Sequence, residues 1–293
     1  MRITNKFIVL VGLFSVIGVS VIIYVSLNSK SEYLVDRTIK YQYQVQNKTN
    51  KLIKTSQFWA YAPVPKTSNQ LVASIQSSLP YQSEYDELGN HIQTFTIENL
   101  APYATKIITL SINLKMSNVA NPLPIKNKNK YLVAEKNIES DNSKLIKFSE
   151  SIIKKSSSTK SNALFNWVSQ NIVYKGYIKA DRGALYAMNQ RTGDCTEYSY
   201  LFTALSRAQK LSSRVIGGYV YNEDTRLNPE DFHNWSEYYK DNRWYIADTQ
   251  NKIHNKNVSD YIAFRIIADS NNSKLGNSHR FAFSNSDIVV TLK

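Results

Sequence analysis

The chain contains little cysteine, glycine or proline: one cysteine, nine glycines and seven prolines among 293 residues. A single cysteine excludes an internal disulfide and leaves no partner for dithiol redox chemistry, and it says nothing about the cellular compartment. The small numbers of glycine and proline argue against a collagen-like or disordered chain. Clusters of lysine and arginine interleaved with aromatic residues, which are typical of nucleic-acid platforms, are also missing. We therefore expect a folded protein without a nucleic-acid partner.

The charge is unbalanced toward the basic side. Lysine and arginine number 36 against 23 acidic residues, which gives a formal net charge of +13. Such an excess predicts attraction to anionic surfaces such as phospholipid headgroups or acidic cell-wall polymer. A solvated basic face without any partner is the alternative.

The first thirty residues have the pattern of a membrane anchor. Residues 7–27 carry no charged side chain, which is enough length for a helix to span a bilayer, and Arg2 and Lys6 precede them. Basic residues on the N-terminal side favour an orientation in which the rest of the chain lies outside the membrane, periplasmic or at the cell surface. A cleaved signal peptide is the alternative, although the apolar run is long and no Ala-x-Ala-like site follows it.

Three regions are predicted after the anchor, of which the first two are a β-sandwich and a linker. From residue 31 to 120, short segments of alternating apolar and polar residues are separated by turn signals, which predicts a small β-sandwich. His91 is expected at the surface of one of its strands. Residues 121–139 are polar and rich in lysine and asparagine, so we expect a linker.

The region 140–293 is predicted to be of the α+β class. A helix capped by Ser140 or Asp141 should bury Leu145 and Ile152, and a further helix should begin at Asp194. A strand-like segment and then a β-hairpin follow that helix. Later strands are expected at residues 261–268 and 288–292.

The single cysteine, Cys195, lies in the run Arg191-Thr-Gly-Asp-Cys-Thr-Glu-Tyr198. At the start of a helix its sulfur would lie where unpaired backbone N–H groups and the helix dipole favour an anion. The amide of Cys195 could also donate to a developing oxyanion, as acyl transfer requires. A small buried hydrophobic residue is the alternative role, but a helix-start thiol with downstream histidine and aspartate indicates a nucleophile.

The hairpin can be checked by counting. If its turn is centred on Asp241 and Asn242, Trp235 faces Asp248, and His233 lies diagonally to that carboxylate on the same face. The carboxylate could then orient one imidazole nitrogen while the other faces the thiol. A slip of one residue in register would separate the two side chains.

Several further residues are candidates for supporting roles. Trp235 could form a wall of the site or belong to the core, and Asp194 and Glu197 could position the helix or a substrate or simply cap the helix. Gln190 and Tyr174 are both candidates for a second oxyanion donor. His254 and His279 are expected to be solvated. Acidic residues on the loop before His233 lack the spacing of a calcium motif, so we predict no required metal or other cofactor.

At this point the sequence resembles the transglutaminase-like superfamily, a branch of the papain-like thiol enzymes. The resemblance covers about residues 140–265. It implies an α+β fold in which the cysteine helix packs on an antiparallel sheet, with Cys195 as nucleophile, His233 as base and Asp248 as orienting carboxylate. It is carried by the motifs Gly193-Asp-Cys-Thr-Glu197, Leu201-Phe-Thr-Ala-Leu-Ser-Arg-Ala208, Arg214-Val-Ile-Gly-Gly-Tyr219, His233-Asn-Trp-Ser-Glu237 and Trp244-Tyr-Ile-Ala-Asp248.

These features predict a membrane-anchored thiol enzyme that attacks amide bonds of a protein or peptide substrate, for which the cell envelope is a candidate source. Resolution of the acyl-enzyme by water would make it a protease or amidase, which we favour because water is always present outside the membrane. Resolution by an amine would make it a protein-glutamine transamidase that crosslinks. A non-catalytic module that binds peptide or cell-wall polymer on the same fold is a third hypothesis. The oligomeric state is left open.

Overall fold

The computed structural model describes residues 32–177, 179–268, 274–276 and 278–293. The apolar segment at residues 7–27, expected as a membrane anchor, lies outside these residues. Among the helices of the described part, none has both the length and the apolar character needed to cross a bilayer. Residues Tyr33–Lys293 form one compact unit.

Alternation of apolar and polar residues builds the strands of the N-terminal region. Ile39, Tyr41, Tyr43 and Val45 are buried, whereas the residues between them are partly or fully exposed, as the period of two predicts. The six strands are β1 (Val35–Asn47), β2 (Ile53–Ala62), β3 (Gln70–Ser77), β4 (Tyr81–Tyr85), β5 (His91–Leu100) and β6 (Thr105–Met116).

Strands from later in the chain complete two sheets with these six. In the first sheet β1 pairs with β6 and β6 with β3, and in the second the order is β2, β5, β4. The sheets face each other, since the ring of Tyr43 from the first meets Phe58 of the second at 5.3 Å between centroids. The later strands are β10 (Thr225–Arg226) and β16 (Ile288–Leu292), which pair with β1, and β15 (Phe281–Phe283), which pairs with β2.

The boundaries at residues 120 and 140 stay a prediction. The structure adds that the last strand of the chain is hydrogen-bonded to the first sheet, with Val45 opposite Val290. Pairing of this kind joins the two ends of the described chain in one sandwich.

Helices follow the connecting segment. Helix α1 buries Leu145 and Ile152 as expected, but its cap is Asn142, which accepts a hydrogen bond from the amide of Lys144, and not Ser140 or Asp141. Any of these side chains can cap, so sequence alone leaves such a boundary open by one or two residues. The helices are α1 (Ser143–Lys154), α2 (Lys160–Asn171), α3 (Gly183–Gln190) and α4 (Cys195–Ala208).

A third, antiparallel sheet supports helix α4. The side chain of Ser236 donates to the carbonyl of Ser199 at 2.9 Å and receives a hydrogen bond from Thr203, so the helix packs directly on this sheet. Its strands run in the order β13 (Ile253–His254), β12 (Arg243–Asp248), β11 (His233–Lys240), β9 (Ser213–Val220) and β14 (Tyr261–Ile267). A short parallel pair, β7 (Val173–Tyr174) and β8 (Thr192–Gly193), lies just before α4.

The expectation for His91 was wrong. Its side chain is buried, stacked on the ring of Tyr85 at 4.9 Å, and its Nε2 lies 2.9 Å from the hydroxyl of Ser83. Both neighbours come from strand β4, whose pairing with β5 covers a position that the alternation within β5 alone leaves open.

Candidate active site

Cys195 is the first residue of helix α4, as the sequence predicts. Asp194 caps the helix by accepting a hydrogen bond from the amide of Thr196 at 2.8 Å. The backbone N–H of Cys195 has no acceptor within the described part of the chain. It is therefore available to an oxyanion that forms beside the sulfur.

Glu197 completes the cap of the same helix. Its carboxylate accepts from the amide of Asp194 at 3.0 Å, so the two acidic residues form a capping box. The side chain is 1% exposed, and it also binds the backbone and the guanidinium of Arg182. Asp194 and Glu197 thus both fix the position at which the helix begins, and with it the position of the thiol.

The hairpin has the register that the sequence predicts. Lys240 pairs with Arg243 and Ser236 with Ala247. In this register Nε2 of His233 lies 2.8 Å from Oδ2 of Asp248. The imidazole also interacts electrostatically with the side chain of Cys195. The structure therefore brings together all three residues that the sequence singled out.

The surroundings of His233 favour its protonated, positively charged form. Burial by itself lowers its pKa, but the hydrogen bond and charge of Asp248, together with the interaction with Cys195, outweigh burial and raise the pKa from 6.5 to about 10. Burial likewise tends to raise the pKa of Asp248, yet contacts with His233 and Asn251 hold it below its ordinary value of 3.8. An imidazolium beside an ionised carboxylate is therefore the favoured state near neutral pH.

Two residues that contact Asp248 are absent from the sequence predictions. The hydroxyl of Tyr261 donates to Oδ2 of Asp248 at 2.9 Å, and Nδ2 of Asn251 donates to the same oxygen at 2.9 Å. Asn251 follows Asp248 by three residues, and its backbone amide donates to Oδ1 of Asp248 at 3.1 Å, as in turns in which an aspartate accepts from the backbone that follows it. Tyr261 comes from strand β14 and has no such local signal.

The thiol opens into a cleft of about 700 Å³. His233 and Asp248 do not line the cleft. Cys195 does, so it is the member of the three that a substrate in the cleft would contact. Cys195 itself is partly exposed, which leaves the sulfur accessible from the cleft. Residues that line the cleft include Tyr174, Tyr177, Asp181, Cys195, Phe232 and His279.

The remaining candidates, Trp235, Tyr174 and Gln190, differ in whether they line the cleft. Trp235 is 1% exposed within the core beside His233, with ring centroids 6.4 Å apart, so it supports the imidazole from the core and does not line the cleft. Tyr174 lines the cleft and interacts electrostatically with Cys195, whereas Gln190 is exposed at the end of α3 and does not line it.

His254 and His279, which were expected to be solvated, are only partly exposed and each contacts another side chain. His254 stacks on Phe165 with ring centroids 4.4 Å apart. His279 lines the cleft and lies 3.8 Å from Asp181. Both contacts are formed by residues distant in sequence, which a polar local context does not reveal.

Helix α4 begins at Cys195 and packs on the antiparallel sheet that carries His233 and Asp248. This arrangement of helix and sheet is a mixed α/β fold. Residues 146–249 match the model of the transglutaminase-like superfamily. This part of the chain is a transglutaminase-like domain, as the sequence motifs indicated. The matched span contains Cys195, His233 and Asp248 and ends before Asn251 and Tyr261.

Comparison with solved structures finds similar chains at low sequence identity. A candidate cysteine protease from Cytophaga hutchinsonii is 17% identical, with a TM-score of 0.57 over 88% of this chain and 92% of its own. The periplasmic domain of TgpA from Pseudomonas aeruginosa is 14% identical, with a TM-score of 0.39 over 76% of this chain and 89% of its own. None of the curated proteins matches this chain. At these identities the first likeness supports the fold alone.

Proposed function

We propose that this protein is a thiol enzyme that cleaves amide bonds in protein or peptide substrates through an acyl-enzyme on Cys195. One observation carries the proposal: His233 hydrogen-bonds with Asp248 and interacts electrostatically with Cys195, and the cysteine opens into a cleft. A buried thiol or a separated histidine would have had no route to this chemistry.

The first half-reaction uses the charge on His233. The imidazole holds the proton that leaves the thiol, and the thiolate attacks the carbonyl carbon of the bound amide. When the tetrahedral intermediate collapses, the C–N bond breaks and the imidazolium gives its proton to the departing amine. The S–C bond remains, and the substrate acyl group is now a thioester.

The developing oxyanion needs two donors. One is the backbone N–H of Cys195, which has no acceptor within the described part of the chain. We assign the second to the hydroxyl of Tyr174, because strand pairing sets Tyr174 beside Gly193 and its side chain interacts with Cys195. Burial, together with the nearby Cys195 and Asp194, raises the pKa of Tyr174, which keeps the phenol protonated as a donor.

Water resolves the acyl-enzyme. His233, now neutral, removes a proton from the attacking water; the S–C bond breaks, and a carboxylic acid is released. Transfer to an amine requires a site that excludes water. Two tyrosines that line this cleft are instead accessible to water, since Tyr177 is 83% and Tyr174 50% exposed. This exposure favours hydrolysis.

The experiment offers the full-length chain a glutamine-containing peptide together with a fluorescent primary amine. We expect release of ammonia or of peptide fragments to exceed amine incorporation, and Cys195→Ala to abolish both. Incorporation that outpaces release would replace hydrolysis by transamidation. No reaction, together with iodoacetamide labelling no faster than that of a free thiol, would favour the non-catalytic binding module.

We also propose that the domain works outside the membrane, held by the apolar segment at residues 7–27. The support is the sequence pattern alone. Protease added to intact cells should digest the region after residue 31, and protection of that region until lysis would overturn the proposed location.

A further inference from the structure

The carboxylate of Asp248 has more hydrogen-bond donors than His233 alone. Oδ2 accepts from Nε2 of His233, from Nδ2 of Asn251 and from the hydroxyl of Tyr261, all within 2.8–2.9 Å. The backbone amide of Asn251 donates to Oδ1 at 3.1 Å. The side chain of Asp248 is 1% exposed, so these groups replace water as its solvation shell.

Such a shell favours one charge state. A carboxylate accepts at both oxygens, whereas a protonated acid would have to turn one O–H toward a group that is itself a donor. Tyr261 remains such a donor, because burial and the charge of Asp248 raise its pKa well above the ordinary value. Donors other than His233 therefore also surround the carboxylate of Asp248, and the anion is the form that they fit.

The ring of Tyr261 has little freedom to leave this contact. It is 2% exposed and packs edge-on against Trp235, with ring centroids 5.1 Å apart. Trp235 in turn lies against His233. A side chain on Gly218, the residue opposite His233, would clash with the backbone carbonyl of Ile262 and would also meet the Trp235 ring at 2.9 Å, so the glycine leaves room for both.

Asn251 also contacts the carboxylate and is more exposed than Tyr261. Its Nδ2 lies 3.2 Å from Nε2 of His233 as well as 2.9 Å from the carboxylate. Since Nε2–H and Nδ2–H both point at Oδ2, the amide restricts the positions from which the imidazole can reach the carboxylate.

We propose that Tyr261 and Asn251 are positioning residues of the proposed reaction: they keep Asp248 ionised and directed at Nε2 of His233, which leaves the other imidazole nitrogen for Cys195. The inference rests on the proposed function, and both residues lie outside the span matched by the family model. They touch the carboxylate and not the reacting atoms.

The test measures the rate of alkylation of Cys195 by iodoacetamide against pH in the full-length protein, which requires no substrate. Loss of a donor destabilises the anion of Asp248, so the acid limb of the profile should move to higher pH. We expect a displacement of about 0.5 to 1 pH unit in Tyr261→Phe and Asn251→Ala. Asn251→Asp has the same shape as asparagine but adds a negative charge, so its displacement should be larger than that of Asn251→Ala.

Tyr245→Phe is the matched control, because Tyr245 lies on strand β12 and stacks on Tyr238. Its profile should coincide with the wild type. If Tyr261→Phe fails to fold, the two variants of the exposed Asn251 decide. Wild-type profiles in Asn251→Asp and Asn251→Ala would overturn the inference. A wild-type protein that reacts no faster than a free thiol would instead refute the proposed function, so the two failures are distinguishable.

Discussion

His233 and Asp248 lie on neighbouring antiparallel strands, and Nε2 of the imidazole is 2.8 Å from Oδ2 of the carboxylate. The pair is buried, with 12% of the histidine side chain and 1% of the aspartate side chain exposed. At this distance and burial a charged pair is stabilised only if both partners remain, because either one alone would be a buried, uncompensated charge.

Removal of the charge of Asp248 with its shape retained tests the pair directly. Asp248→Asn should lower kcat/KM by about 10²- to 10⁴-fold, because an amide neither stabilises the imidazolium nor enforces the correct tautomer. The measurement is peptide hydrolysis by full-length protein. Asp241→Asn is the matched control: Asp241 lies in the turn of the same hairpin with φ 49°, a conformation that asparagine also adopts, so activity should be retained. Equal activity of the two variants would contradict the role of Asp248.

The pairing of His233 with Asp248 could be predicted from sequence because the hairpin is local. Asp241 and Asn242 adopt φ values of 49° and 58°, as the two central residues of a type I′ hairpin turn require. Such a turn fixes which residues of the two strands face each other. Helix α4 was predictable for a similar reason, since its capping box lies within four residues.

The rest of the site depends on pairings between distant segments. Tyr261 reaches Asp248 because strand β14 pairs with β9, and no pattern near residue 261 states that partner. The burial of His91 depends in the same way on strand β4, and strand β16 was expected from its own residues but not its pairing with β1. Sequence periodicity indicates which face of a strand is buried, but not which strand lies beside it.

The stability of the protein should depend on pH through His233. Its folded pKa of about 10 lies above the ordinary 6.5, so its stabilising contribution is fully present below pH 6.5 and is lost as the pH rises toward 10. Asp248 has the opposite sign: its contribution is present above its ordinary pKa of 3.8 and disappears as the pH falls through its lower folded value.

Urea denaturation of the wild type and His233→Gln measures this dependence. The difference in free energy of unfolding should be greatest between pH 4 and 6.5 and shrink as the pH approaches 10, since only the wild type carries the titrating imidazole. A difference that stays constant over this range would mean that the pair carries no extra charge in the folded state.

The capping box should determine the stability of the start of helix α4. Glu197→Ala removes the acceptor for the amide of Asp194 and for the guanidinium of Arg182. We expect this loss to destabilise the protein by about 2–4 kcal/mol. Glu197→Gln retains an acceptor and should lose less. Glu223→Ala, at an exposed loop position, is the control and should leave the urea midpoint within error. A midpoint for Glu197→Ala equal to that of the control would refute this role.

The proposed role of Tyr174 as an oxyanion donor can be distinguished experimentally from a role in forming the thiolate. If its hydroxyl donates to the oxyanion, Tyr174→Phe should lower kcat by about 10- to 100-fold with little change in KM, because the interaction arises in the transition state. Alkylation of Cys195 by iodoacetamide creates no oxyanion, so its rate should match the wild type. Tyr177→Phe, which alters a second tyrosine of the same cleft, should change neither rate. A loss of alkylation in Tyr174→Phe would assign the phenol to thiolate formation, and unchanged kcat would remove it from the reaction.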